Sequence, residues 1–128
     1  MNDEQREQFL HFIIALAWTD GDMDPAERDY LKELVSRVGF DDVAVRKRAE
    51  GWLFSRPDEP NWDTIIQDKE MGHTLLRQSM LLAALDMEVS QREMRYLNEL
   101  RDRLEISEQD FFGIQREVER ALVARINK

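Results

Sequence analysis

The sequence predicts an all-α protein, a single domain of six or seven helices built from two degenerate helix–acidic loop–helix repeats. Three observations predict it. Apolar residues recur at helical spacing through most of the 128 residues, and no stretch alternates convincingly as a strand would. Three prolines and five glycines are too few for a long linker. The sequence also matches itself at an offset of 66 positions. A chain of this length can bury one core, and 42% hydrophobic with 35% charged residues suits a globular protein with a charged surface.

The first helix is expected from about Asp3 to Thr19, its core side made of Phe9, Leu10, Phe12, Ile13, Leu16 and Ala17. A second follows Asp24, with Tyr30, Leu31, Leu34, Val35 and Val38 in one stripe, and Gly39 stops it as a left-handed cap. A third, from about Asp42 to Ser55, carries Val43, Val45, Ala49, Trp52 and Leu53. Arg56-Pro57-Asp58-Glu59-Pro60 breaks the pattern, because proline removes a backbone donor and disfavours helix before it. Asn61 or Asp63 is then a cap for a short helix through Ile65 and Ile66. Further helices are expected at about 71–85, 91–104 and 108–125. The last turns Phe111, Phe112, Ile114, Val118, Leu122 and Ile126 inward.

The repeat spans about residues 9–55 and 75–126. At the offset of 66, Leu10 meets Leu76, Ala17 meets Ala83, Asp20 meets Asp86 and Glu27 meets Glu93. Tyr30, Leu31, Glu33, Leu34 and Arg37 meet Tyr96, Leu97, Glu99, Leu100 and Arg103. Chance would supply roughly two such identities at average residue frequencies; the nine pairs named here exceed that. Each copy also holds a helix start: Asp24, Pro25 and Glu27 in the first, Ser90 and Glu93 in the second. Met23 and Val89 precede these caps as staples, and Asp41 and Ser107 are aligned as caps for the helices that follow. Two such units bury the apolar helices 9–19 and 75–85 against each other.

The loops between the paired helices gather Asp20, Asp22, Asp24 and Glu27 in one copy and Asp86, Glu88 and Glu93 in the other. Capping accounts for Asp24, Glu27 and Glu93. Asp20 and Asp86 stand at helix C-termini, where exposed carbonyls make a carboxylate unfavourable by about 0.3–1 kcal/mol unless a cation or donor compensates. Two readings are open. In one the loops face each other and hold a hard cation, since an all-oxygen set selects Ca²⁺ or Mg²⁺. In the other the acids only accept bonds from free helix amides. An EF-hand is excluded, because Pro25 stands where its glycine belongs and Leu31 where its bidentate glutamate belongs.

Other chemistries find little support. No Cys is present, which removes disulfides and thiolate sites and is compatible with a reducing, cytoplasmic setting. The polar start MNDEQREQ is not a secretory signal, and apolar runs such as 80–85 are far short of a membrane span. A net charge of −9 disfavours nucleic acid and anionic lipid, leaving cations, basic proteins or neutral surfaces as partners. The triplet Arg46-Lys47-Arg48 reads as a solvated helix face. His11 and His73 have no histidine partner at helical spacing, and no phosphate loop or nucleophile elbow exists, so a non-catalytic protein is expected. Trp18 adjoins the first acidic loop and reads as buried helix. Trp52, Phe54 and Trp62 read as side chains that pack the long connection onto the body.

A buried Ala-rich helix, then Asp-Gly-acid with a following Glu, then a Leu-rich helix, occurring twice, resembles the TerB-like tellurite-resistance family. The resemblance covers roughly Phe9 to Phe112. It is carried by DGDMDPAE in the first copy and is weaker in the second, where Met87 replaces the expected glycine. It implies an all-helical fold with a metal site at Asp20, Asp22, Glu27, Asp86, Glu88 and Glu93. It also implies a role in stress or tellurite resistance through an unidentified protein partner. Related domains precede a J-domain in a membrane-anchored co-chaperone, but this sequence holds no His-Pro-Asp tripeptide. Direct capture of tellurite is disfavoured, because an acidic site repels an oxyanion.

Overall fold

The computed structural model describes residues 2–19, 21, 23–63, 67, 69–84 and 91–126, with the backbone alone for 125 and 126. Among them run six helices and no strand. They are α1 (Asp3–Ala17), α2 (Pro25–Val38), α3 (Val43–Gly51), α4 (Lys69–Ala83), α5 (Gln91–Arg103) and α6 (Glu108–Ile126). No helix among the described residues is long and apolar enough to cross a membrane.

The two apolar helices form the centre. α1 packs along α4, with α2 and α3 also against α1, and α5 and α6 against α4. Leu10, Phe12, Ile13, Ile14 and Leu16 of α1 are fully buried, as are Leu75, Leu76 and Leu82 of α4. A helix covered on nearly every side needs apolar residues all round, which is why α1 also buries Ile14, a position outside its expected stripe. On α4, Gly72 lets α5 come close: a methyl group there would collide with the Leu104 side chain.

Helix boundaries recur at the offset seen in the sequence. α1 ends at Ala17 and α4 at Ala83; α2 begins at Pro25 and α5 at Gln91. Matched positions have matched burial, as with Leu10 and Leu76, Leu31 and Leu97, and Leu34 and Leu100. Matched tyrosines send a hydrogen bond from each half to the other. The Tyr30 hydroxyl donates to Gln78 Oε1 on α4, and the Tyr96 hydroxyl donates to the Phe12 carbonyl on α1 at 3.0 Å. Tyr30 and Tyr96 are matched residues, and positions 12 and 78 are themselves 66 apart.

Local signals explain most helix ends. Asn2 and Gln5 form a reciprocal capping box at the start of α1. Asp24 caps α2 by accepting from the Ala26 amide at 2.8 Å, and Gly39 ends that helix with φ of 68°. The expected caps Ser107 and Asn61 accept from Asp110 N and Asp63 N at 3.2 and 3.0 Å. Residues 62 and 63 begin the short helix expected beyond Asn61, and its remainder, 64–66, lies outside those described.

Four expectations are corrected. The cap of α3 is Asp42, which accepts from Ala44 N at 2.8 Å, and not Asp41. Asp41 is engaged otherwise: its amide and that of Asp42 donate to the Asp3 carboxylate at 3.0 and 2.8 Å. The third helix stops at Gly51, short of Ser55, because Trp52, Leu53 and Phe54 tighten into turns whose amides bond three residues back. Trp18 Nε1 donates to the Trp52 carbonyl at 2.7 Å and Arg28 Nε to the Leu53 carbonyl at 2.9 Å, so side chains satisfy that end. Phe54 is 69% exposed with the Arg28 guanidinium over its ring, so it does not pack down as Trp62 does. Phe112, expected on the inner side of its helix, lies on the surface, as does Val43.

Candidate functional site

Of the six acidic residues predicted to hold a metal, Asp20, Asp22, Asp86 and Glu88 lie outside the described residues. Glu27 and Glu93 lie within them. Both sit in the first turn of their helices, α2 and α5, and they are the two buried carboxylates among the described residues, 7% and 5% exposed. A carboxylate at that burial must be met by donors or a cation. Matched positions in the two halves place these carboxylates at equivalent helix starts, where the macrodipole favours negative charge. Among the described residues no three His, Asp or Glu side chains gather as a metal-binding group.

The flanks of the two loops meet. Arg92, in the first turn of α5, reaches from beyond the second loop and donates from Nη1 to the carbonyl of Thr19, the residue before Asp20, at 3.4 Å. Thr19 is held in turn, its Oγ1 donating to the Leu16 carbonyl at 2.8 Å. Gly21 continues the loop with φ of 92°, a conformation that glycine adopts without strain, and its amide closes on the Trp18 carbonyl at 3.0 Å. Trp18 itself is buried, as expected.

The connection after α3 encloses this end of α1. A hollow of about 340 Å³ opens there, lined by Ala15, Thr19, the segment Arg56–Pro60 and Tyr96. His11 stacks on Trp52 with ring centres 4.7 Å apart, and its Nε2 lies 2.6 Å from the Asp58 carbonyl, where it can only donate. That histidine is therefore a strut. Trp62 packs edge-on to Phe12 and against Tyr96, with the Arg103 guanidinium 4.7 Å above its ring. Burial pushes the Tyr96 hydroxyl well above the ordinary tyrosine range, and the Glu99 and Glu59 carboxylates push it further.

Comparison against protein-family models, curated proteins and solved structures finds no match.

In the basic triplet, Arg46 pairs with Glu50 at 2.8 Å and Arg48 with Glu7 at 2.6 Å, while Lys47 is exposed. His73 lines an open cleft of about 540 Å³ between α4 and α6, beside Lys69, Arg77 and Asp110. Sequence reasoning passed over Arg92 and the Tyr96 hydroxyl. The only available signal for Tyr96 was its match to Tyr30, and nothing distinguished Arg92 from the other surface arginines.

Proposed function

We propose that this chain is a non-catalytic helical domain whose two acidic loops converge at one end of the molecule and bind a divalent cation, Ca²⁺ or Mg²⁺. In this reading the six ligand residues are Asp20, Asp22, Glu27, Asp86, Glu88 and Glu93, and the bound ion orders a surface for a protein partner. The observation that carries it is the contact of Arg92 with Thr19, which brings the flanks of both loops within hydrogen-bonding distance. The side-by-side packing of α1 and α4 and the paired burial of Glu27 and Glu93 support it. So does the exchange of tyrosine hydrogen bonds between the halves, the reciprocity expected of a twofold relation. A TerB-like role in stress or tellurite resistance, in the cytoplasm, rests on the sequence resemblance and would be indirect with respect to the oxyanion.

A second reading is a helical adaptor whose acidic loops are caps alone. Asp24 already serves the Ala26 amide, and Arg92 already brings positive charge to the C-terminal end of α1. Thermal melts decide between the two. An ion bound only by the folded state must stabilise it, by about 2.7 kcal/mol at a hundred times its dissociation constant. The melting temperature should rise with added Ca²⁺ or Mg²⁺, and the rise should vanish in the Asp20→Ala/Asp86→Ala variant while helicity is kept. A melting temperature indifferent to both ions would leave the adaptor.

A further inference from the structure

The outer face of α6 is a long helix face that the core leaves uncovered. Ile114 and Val118 are buried on its inner side, with Phe111, Ala121 and Leu122 partly so. On the opposite side Phe112, Arg116, Glu119 and Val123 follow one another at steps of four, three and four residues, which places them on a single line along the helix. Phe112 is 57% and Val123 55% exposed, two of the five large apolar side chains exposed among the described residues. Arg116 and Glu119 are exposed between them, and neither forms an ion pair among the described residues, although Glu117 on the flank is taken by Arg77. Arg116, Glu119, Arg120, Val123 and Ala124 border a shallow hollow of about 460 Å³.

We infer that this face binds the same face of a second copy of the chain, antiparallel, about a twofold axis passing between Glu117 and Val118. The order of the residues selects this occupant. Reversing the line about that point sets Phe112 opposite Val123 and Arg116 opposite Glu119, and the twofold repeats each pairing. Apolar meets apolar at both ends and opposite charges meet twice in the middle, the self-complementarity that a symmetric interface requires. A parallel copy in register would set Arg116 against Arg116 and Glu119 against Glu119. The seam is about 16 Å long at 1.5 Å per residue, a contact below the standard size for a stable complex. The dimer is therefore weak and reversible, with a dissociation constant on the order of 100 µM.

Sedimentation velocity across a concentration series tests this. The wild-type chain should pass from monomer toward dimer between about 10 µM and about 1 mM. Phe112→Ser should remain monomeric. Arg116→Glu and Glu119→Arg should each weaken the dimer about tenfold, since each replaces two attractive pairs by two repulsive ones. The double variant Arg116→Glu/Glu119→Arg should recover to within about threefold of wild type, because the swapped charges again face each other. All four positions are exposed, and circular dichroism verifies that helicity is retained. Amide shifts of the wild-type chain on dilution give a second readout and should be confined to residues 108–124. A chain monomeric at 1 mM, a dimer indifferent to Phe112→Ser, a double variant no better than the single ones, or dilution shifts centred elsewhere would each overturn the pairing.

Discussion

Glu105 has φ of 53°, the only non-glycine residue with positive φ among those described. It ends α5 where Gly39, 66 residues earlier, ends α2 with φ of 68°. The hydrogen bonds explain why the chain accepts this: the Ile106 amide bonds the Arg101 carbonyl at 3.2 Å and the Glu105 amide the Asp102 carbonyl at 3.1 Å. This is the paired closure of a Schellman cap, and buried Ile106 seals it. A side chain in the left-handed region costs about 1–2 kcal/mol relative to the right-handed one. Gly39→Ala should therefore destabilise the protein by about 1 kcal/mol, and Glu105→Gly should stabilise it by up to the same amount. Urea unfolding midpoints read both changes. If the two move in the same direction, the residues do not share a conformational role.

At the scale of elements, Asp3 ties two helices together. It lies in the first turn of α1, yet its carboxylate accepts the amides of Asp41 and Asp42 ahead of α3, and Arg6 bridges it at 3.0 Å. The Asp41 amide above all, then that of Asp42 and the Arg6 guanidinium, hold the carboxyl below its ordinary value of 3.8 against the opposing effect of desolvation. A carboxyl depressed in the folded state stabilises it fully above the unfolded value, and the contribution is lost as pH falls through the folded one. The wild-type protein should therefore lose more stability than Asp3→Asn as pH is lowered from about 4. Acid unfolding followed by circular dichroism measures the difference, and parallel curves for the two proteins would show that the tie carries no linkage.

Over the whole molecule, each half reaches into the other through a matched tyrosine. The burial that raises the Tyr96 hydroxyl gives this exchange a pH signature. Because the folded value lies above the ordinary 10.0, the contribution is complete below that pH and falls as pH rises through the folded value. Tyr96→Phe should lower stability by about 1 kcal/mol at neutral pH through loss of the bond to the Phe12 carbonyl. It should also lose less stability than wild type on going above pH 10. Unfolding by urea at pH 7 and pH 11 supplies both numbers; an equal alkaline loss in the two proteins would locate the sensitive group elsewhere.

What the sequence determined by itself are the features that short-range physics controls. The helical class, the stripe of α2, the stop at Gly39, the break at Pro57 to Pro60 and the offset of 66 residues all follow from periodicity, proline chemistry and matched residues. The apolar helices were legible as partners because each carries more apolar surface than a solvent-facing helix would. The tertiary structure alone decided which of several equal local signals was used. Asp42 caps α3 in a turn that Asp3, nearly forty residues away, holds by accepting the amides of both Asp41 and Asp42. α3 stops early because Trp18 and Arg28 claim the carbonyls after it. Phe54, Phe112 and Val43 repeat at core spacing, and only the packing of distant helices left them in solvent. The candidate site divides the same way. Acidic residues and their duplication can be read along the chain, but the meeting of Arg92 with Thr19 is a contact across 73 positions, and no local pattern encodes a distance in space.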